Sequence, residues 1–285
     1  MTATGGMSLH PVYFFVCACF QFVQTLPKFL LSFRCYTLLI TEKEVHVMSG
    51  AIFERHEMKF LLNTQQRCFL ESAIHGRMRP DEHGESTICN IYYDTPDYLL
   101  VRRSLDRPVY KEKIRMRSYG PAYGNDSVYL ELKKKYDGVV YKRRISLPLD
   151  QAEAYMHRDI QMPSDTQIGR EIDWFCHSYR DLIPAAHISY DRNAWFDRFD
   201  PELRLTFDRN ILWQTEDCSL SALPCGHSIL GAGESLLEIK TASAIPMWLV
   251  SLLNEAEIRK TSFSKYGTAY TAMLNDYRMR GVFCA

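Results

Sequence analysis

The feature that most restricts this chain is the repeated placement of charged and apolar residues at alternate positions. On an extended strand successive side chains point to opposite faces, so every second residue shares a face. In the 109–118 segment Lys111, Lys113, Arg115 and Arg117 share one face, with Ile114 and Met116 on the other. Segment 127–135 sets Glu131, Lys133 and Lys135 against Leu130 and Leu132. Segment 138–147 sets Lys142, Arg144 and Ser146 against Ile145 and Leu147, with Arg143 falling on the apolar side. The same pattern aligns Arg55, Glu57 and Lys59 in 53–62, Arg204, Thr206 and Asp208 in 202–209, and Glu238 with Lys240 in 235–241. A half-exposed sheet also turns a polar face to water. These polar faces, however, carry mostly Arg, Lys and Glu, and like charges at alternate positions repel unless an anion or facing carboxylates offset them.

Segments 87–94 and 186–195 complete a set of eight strand candidates, and 64–77, 150–158, 168–180, 245–256 and 265–279 read as helices. Asn63-Thr64 and Asp150 offer helix-start chemistry, and Pro246 suits a first turn. Gly120, Gly124-Asn125 and Asp137-Gly138 punctuate the middle strands as short turns, which implies antiparallel pairing. Helices can cover the apolar faces from outside while the charged faces turn inward. The expectation is an α+β fold: an eight-stranded antiparallel β-barrel with a charged lumen and helices packed on its outside.

Residues 1–48 stand apart. Their apolar runs at 12–23 and 29–40 are broken by Gln21, Gln24, Pro27, Lys28 and Arg34, so no clean spanning segment exists. A membrane anchor, a weak signal or an upstream stretch that is not translated all fit. The last is adopted, with Met48 as a start site, and the domain is placed at 49–285.

Charge narrows the ligand. The whole chain balances 34 basic against 34 acidic residues, which excludes a general nucleic-acid binder. Between Arg102 and Arg144, however, thirteen Lys or Arg face five acids, a local surplus that calls for an anion. Long basic side chains in a narrow lumen select a linear, densely anionic ligand, and guanidinium forks suit phosphate oxygens. The few inward carboxylates, Glu238, Glu57 and Glu131, suit a hard divalent cation bridging protein and phosphate. No GxxxxGK[ST] loop, kinase loop set or GxGxxG occurs. Nine scattered cysteines read as reduced thiols of a cytoplasmic protein, with membrane association left open. Cys218, Cys225 and His227 lack the second ligand pair of a zinc site.

The runs RHEMKF (55–60), KIRMRSYG (113–120), YLELKKK (129–135), VVYKRRISL (139–147), SYDRNAW (189–195), LRLTFD (203–208), LLEIK (236–240) and FSKYGTAY (263–270) resemble the polyphosphate polymerase domain of the vacuolar transporter chaperone (VTC) family, one of the triphosphate tunnel metalloenzymes. The resemblance implies an eight-stranded tunnel in which a nucleoside triphosphate such as ATP gives its terminal phosphate to a growing polyphosphate chain, with Mn2+ or Mg2+. It implies that Lys59, Arg115, Arg117, Lys133, Lys142, Arg192, Arg204 and Lys265 contact phosphate, and that Glu238 holds the metal, with Glu57 and Glu131 as secondary candidates. Arg115, Arg117, Lys133 and Lys265 would serve catalysis, Lys265 by closing the tunnel mouth on the acceptor. A triphosphatase using the same tunnel, or a non-catalytic polyphosphate-binding module, remains the alternative, and no membrane protein partner is identified. Two positions depart from the pattern. Arg55 stands where the wider superfamily has an acid, a VTC-like feature that argues against a cyclase or thiamine-triphosphatase. Ser262 stands where VTC polymerases carry Lys, with Lys260 two residues upstream. By simple alternation Arg192 shares a face with Ile188 and Tyr190, so a bulge is expected to turn it inward.

Overall fold

The computed structural model describes residues 56–137, 139–179 and 181–279. The expectations for the 1–48 leader, Met48, Arg55 and Gly138 fall outside these residues.

In chain order the elements are β1 (His56–Leu62), α1 (Thr64–Ile74), β2 (Met78–Asp94), α2 (Leu99–Leu105), β3 (Tyr110–Tyr119), β4 (Ser127–Tyr136), β5 (Val139–Pro148), α3 (Leu149–Met156), α4 (Gln167–Ser178), β6 (Ile183–Asp197), β7 (Arg204–Gln214), β8 (His227–Ser228), β9 (Ser235–Thr241), α5 (Met247–Glu255), β10 (Lys260–Thr261) and α6 (Lys265–Met279). The predicted antiparallel pairing and α+β class are both present. One sheet runs β10-β1-β9-β7-β6-β2-β3-β4-β5, with β8 added to β7. Hairpin registers such as Arg115 opposite Glu131, and Glu131 opposite Arg144, keep the charged positions of β3, β4 and β5 on one face.

The expected closed eight-stranded barrel is corrected in two respects. Ten strands are present among the described residues, and the end strands β5 and β10 do not pair. The free edge of β1 is already taken, because Lys59 and Phe60 pair with Thr261 and Lys260 of β10. Where backbone closure was expected, a side-chain ion pair crosses the gap, Lys133 of β4 to Glu57 of β1 at 3.7 Å. The sheet therefore curls far enough to enclose its charged face without sealing it.

Burial of the opposite face supplies the core. Ile114, Met116, Leu130 and Leu132 pack under Ile172 and Phe175 of α4 and the residues of α3. Phe207, Leu237 and Ile239 pack under Leu70 and Ile74 of α1 and Leu249 and Leu253 of α5. Helix α1 starts at a capping box: Asn63 Oδ1 accepts from Gln66 N–H at 2.9 Å, and Gln66 Oε1 accepts from Asn63 N–H at 3.0 Å. Helix α6 departs from the all-outside expectation. Its Tyr266 stacks on Tyr92 of the inner face at 4.7 Å, and Ala269, Tyr270 and Met273 bury Ile188 and Leu236. It plugs part of the curled sheet.

Asp94 ties this plug to the sheet. It is fully buried at the end of β2 and accepts from the Leu100 and Val101 amides at 2.8 and 3.0 Å and from the Tyr266 hydroxyl at 2.9 Å. Tyr98 at the start of α2 lies at φ 58° and makes no side-chain cap, so capping falls to Asp94 and to Thr95, whose Oγ1 accepts from the Leu99 amide at 2.9 Å. Asp94→Ala would strand these buried donors, for an expected loss of about 3 kcal/mol in urea unfolding. A loss under about 1 kcal/mol would mean water replaces the carboxylate without difficulty.

Candidate functional site

The inner face lines a cavity of about 450 Å³. It brings together every residue singled out by the sequence: Lys59, Arg115, Arg117, Lys133, Lys142, Arg192, Arg204 and Lys265, with Glu57, Glu131 and Glu238. Lys113 and Lys240 join them. Ten Lys or Arg and three Glu line this space, and Asp208 sits behind Arg192 and Lys265, leaving a surplus of six positive charges.

The acids form two nodes and a bridge. Glu131, 2% exposed, receives Arg115 Nη2 and Lys142 Nζ at 2.7 Å, with Arg144 Nε at 3.4 Å and Arg117 Nη1 at 4.0 Å. Burial alone would raise its carboxyl, but Arg115, Arg117 and Lys142 outweigh burial and hold it below the usual carboxylate range. The second node joins Asp208 and Glu238. Lys265 Nζ lies 2.6 Å from Asp208 and 3.2 Å from Glu238. Arg192 grips Asp208 with two donors at 2.6 and 2.7 Å and reaches Glu238 at 3.5 Å. Lys59 and Lys240 complete Glu238 at 3.7 and 3.5 Å. Against burial, Lys265, Lys240, Arg192 and Lys59 keep Glu238 well below its ordinary value. Glu57 bridges Lys59 at 3.2 Å and Lys133 at 3.7 Å.

Several placements correct the sequence reading. Lys265 is buried between two carboxylates, not poised at a mouth. Arg192 faces inward without a bulge between Ile188 and Arg192; against β2, the extra residue of β6 lies further back, at Ala185. The register shift lies in β7, which advances from Leu212 to Arg209 while β6 advances from Ser189 to Asp191. Tyr190 faces inward as well, its hydroxyl accepting from Arg117 Nη2 at 3.0 Å. Arg204 lines the cavity while lying 3.6 Å from Asp81 and over the Phe196 ring at 4.7 Å. Tyr92, Tyr190 and Asp208 were missed as site residues. Asp208 was legible from its alternation with Thr206 and Arg204, whereas the tyrosines look apolar until their hydroxyls find arginines. Lys260 lines an adjoining cavity of about 820 Å³ with Arg107, Lys111 and Lys135. That cavity shares Glu57, Lys59, Lys113 and Lys133 with the first.

Among the described residues no three His, Cys, Asp or Glu side chains group as a metal cage. Every lumen carboxylate is engaged by cations. This donor set fits a hard divalent ion only as one carried by phosphate and water, with one or two protein carboxylates, the manner typical of Mg2+. Four basic groups surround each of Glu238 and Glu131, but Glu238 fits that role better, because its nearest cation stands at 3.2 Å whereas Arg115 and Lys142 hold Glu131 at 2.7 Å. Cys218 and Cys225 form no metal group, and no described helix is long and apolar enough to cross a membrane.

A family model of the VTC domain matches residues 54–274. A Trypanosoma brucei brucei protein, vacuolar transporter chaperone complex subunit 4, is 26% identical over 272 residues, covering 77% of this chain and 34% of its own length. The Trypanosoma cruzi protein of the same name is 23% identical over 276 residues, with the same coverage. The chain spans about a third of the length of these curated relatives. A solved Bacillus halodurans structure, described as a candidate adenylate cyclase, has a TM-score of 0.48 and 14% identity over 74% of this chain and 95% of that one.

The charge surplus has a titration signature. Burial would raise the Tyr92 phenol, but Arg115, Lys113 and Arg117 reverse this and bring it from 10 to about 7. Burial lowers Lys113 to about 8; Tyr92 opposes that fall, and Lys133 and Arg115 add to it. Both groups hold fewer protons folded than unfolded. The Tyr92 contribution to stability therefore grows from about pH 7 to pH 10, and the penalty for a charged Lys113 fades from about pH 8 upward. The unliganded protein should gain melting temperature between pH 7 and 9 and show tyrosinate absorbance near pH 8. Tyr92→Phe should lack that absorbance, and tripolyphosphate should suppress it in the parent protein. No tyrosinate below pH 9 would mean the lumen cations are already matched.

Proposed function

Because the chain belongs to the VTC domain family, we propose that the lumen is a polyphosphate polymerase site. The observation that carries this reading is the enclosed surplus of six positive charges on the inner sheet face and the start of α6. A chain of phosphates is the linear anion with enough charge per length to match it.

Phosphoryl transfer asks a protein mainly for positioning and charge stabilisation. Arg115, Arg117 and Lys133 would hold the β- and γ-phosphates of the donor, with Lys142 and Lys59 beside them. A terminal oxygen of the acceptor chain attacks the γ-phosphorus and the bond to the β-phosphate oxygen breaks. The nucleoside diphosphate leaves with that electron pair, and the chain is one phosphate longer. Lys265 and Arg192 position Glu238, the residue assigned to Mn2+ or Mg2+. Such an ion, when bound, would neutralise charge developing on the phosphate oxygens. The adjoining cavity, with Lys111, Lys135 and Lys260, would take the acceptor chain. The reading places the reaction in the cytoplasm, at or near a membrane.

The absence of a three-acid group among the described residues favours, as a second reading, a non-catalytic polyphosphate-binding module. Incubation with ATP and Mn2+ separates the outcomes. Long-chain polyphosphate identifies a polymerase, free phosphate a triphosphatase, and binding without turnover a module.

Glu238→Gln should separate chemistry from binding. It keeps the shape but removes the charge assigned to the cation, so metal-dependent turnover should fall by at least about two orders of magnitude, the scale of one major electrostatic stabiliser. Polyphosphate affinity should hold or rise, because Lys59, Lys240 and Lys265 lose a competing anion. Unchanged turnover, or affinity lost in parallel with it, would remove Glu238 from the metal role.

A further inference from the structure

The inner face does not end at the phosphate-sized cavity. Beyond Arg117 it continues through Tyr119 on β3, and beyond Glu131 through Tyr129 on β4, which lies opposite Arg117 and Ser146. Arg144 joins these rings to the lumen. Its Nε lies 3.4 Å from Glu131, its Nη2 donates to the Tyr119 hydroxyl at 3.4 Å, and its guanidinium carbon sits 3.4 Å from the Tyr129 ring centroid. Tyr119 meets Tyr129 edge-on, with centroids 5.8 Å apart and planes at 83°. Tyr129 thus covers one face of the guanidinium, and Tyr119 stands beside it, 56% exposed.

We propose that Arg144 and Tyr119, backed by Tyr129, form a shelf on which the base of a nucleoside triphosphate stacks, so that the donor enters the lumen from this end. The proposal rests on reading the lumen as a triphosphate site, and it adds recognition of the nucleoside. A guanidinium plane and an exposed tyrosine ring are surfaces on which any base can stack, without a need for edge-specific hydrogen bonds. The spacing suits a nucleotide. A single guanidinium reaches both Glu131 and Tyr119, so the shelf begins one arginine away from the carboxylate that Arg115 and Lys142 hold. Phosphates seated on Arg115 and Arg117 would leave the base beside it. The adjoining cavity has a different character. Arg107, Lys111, Lys135 and Lys260 line it, which suits phosphate units carrying no base. The two directions away from the lumen therefore differ in emphasis, the first carrying stacked rings beside one arginine and the second mainly basic point charges, with Phe263, Glu57 and Glu112 among them.

The test compares ATP with inorganic tripolyphosphate on the full chain, in the parent protein, Tyr119→Ala and Tyr119→Phe. Tyr119 is exposed, so neither substitution removes a core contact. Tyr119→Ala should weaken ATP binding by about tenfold or more, the scale of one lost base–aromatic stack, and leave tripolyphosphate within about twofold. Tyr119→Phe keeps the ring and should retain ATP affinity. Unchanged ATP binding in Tyr119→Ala, or equal loss for both ligands, would overturn the shelf. So would a parent protein that binds tripolyphosphate but not ATP, while the phosphate-binding lumen would stand. A parent protein that binds neither would remove the lumen reading itself.

Discussion

Glu131 is the carboxylate on which the geometry of the lumen depends. Arg115, Arg117, Lys142 and Arg144 come from neighbouring strands and would repel one another across β3 and β5 without it. One buried negative charge between them fixes where each fork points. Arg115 turns its spare donor to the Tyr92 hydroxyl at 3.0 Å, and Arg117 turns its own to Asn90 and Tyr190 at 2.9 and 3.0 Å. Buried ion pairs of this kind rarely stabilise a fold on balance, because desolvation offsets the attraction. The stability must come from the apolar clusters on the other side of the sheet, where Ile114, Met116, Leu130 and Leu132 are fully buried. Alternation is what lets one strand serve both ends: its inward residues cost stability and its outward residues supply it.

The legible parts of the fold are the parts where alternation is strict. Strand β9 and helix α6 have the limits expected from sequence, and β3 to β5 differ by a residue or so at either end. Strand β2 was foreseen only from residue 87, yet it starts at Met78, because the RPDEHGES stretch has no apolar alternation and is held by pairing with β6 around a register shift. Helix α2 is not legible because its caps, Thr95 and Asp94, lie four and five residues before it, Asp94 in another element. Closure was over-read for a similar reason. Alternation shows which face a residue joins, but nothing local reveals that a two-residue strand after α5 takes the edge of β1. Tyr190 shows the remaining limit: a tyrosine is counted apolar until a hydroxyl-to-arginine contact places it inside.

A lumen with matched charges would be more stable and would bind nothing. Its surplus stores repulsion that an entering polyanion relieves, so ligand binding and fold stability are linked through the same residues. Burial pulls Lys113 toward neutrality, Tyr92, whose ring lies 5.9 Å away, opposes this, and Lys133 and Arg115 add to it. On the proposed reading the empty site would carry less charge at Lys113 and would regain it when phosphate arrives.

The two acid nodes differ in the cations that hold them, and that difference assigns their work. Glu131 is held chiefly by arginines on strands, whose planar forks fit a carboxylate in few orientations. Such a node keeps its shape when the lumen fills. Three of the four cations around Glu238 are lysines, Lys59, Lys240 and Lys265, and an ammonium on a flexible stem can turn its donors from carboxylate to phosphate without moving the backbone. A ligand that brings its own anions therefore competes for these lysines first. On the proposed reading Lys59 and Lys240 would turn to phosphate while Lys265 stays on Asp208, which would free oxygen lone pairs of Glu238 beside the arriving phosphate oxygens. A divalent ion would need both at once, so on that reading Glu238 is the carboxylate to meet it, while Glu131, held by three arginines and Lys142, would stay a fixed node.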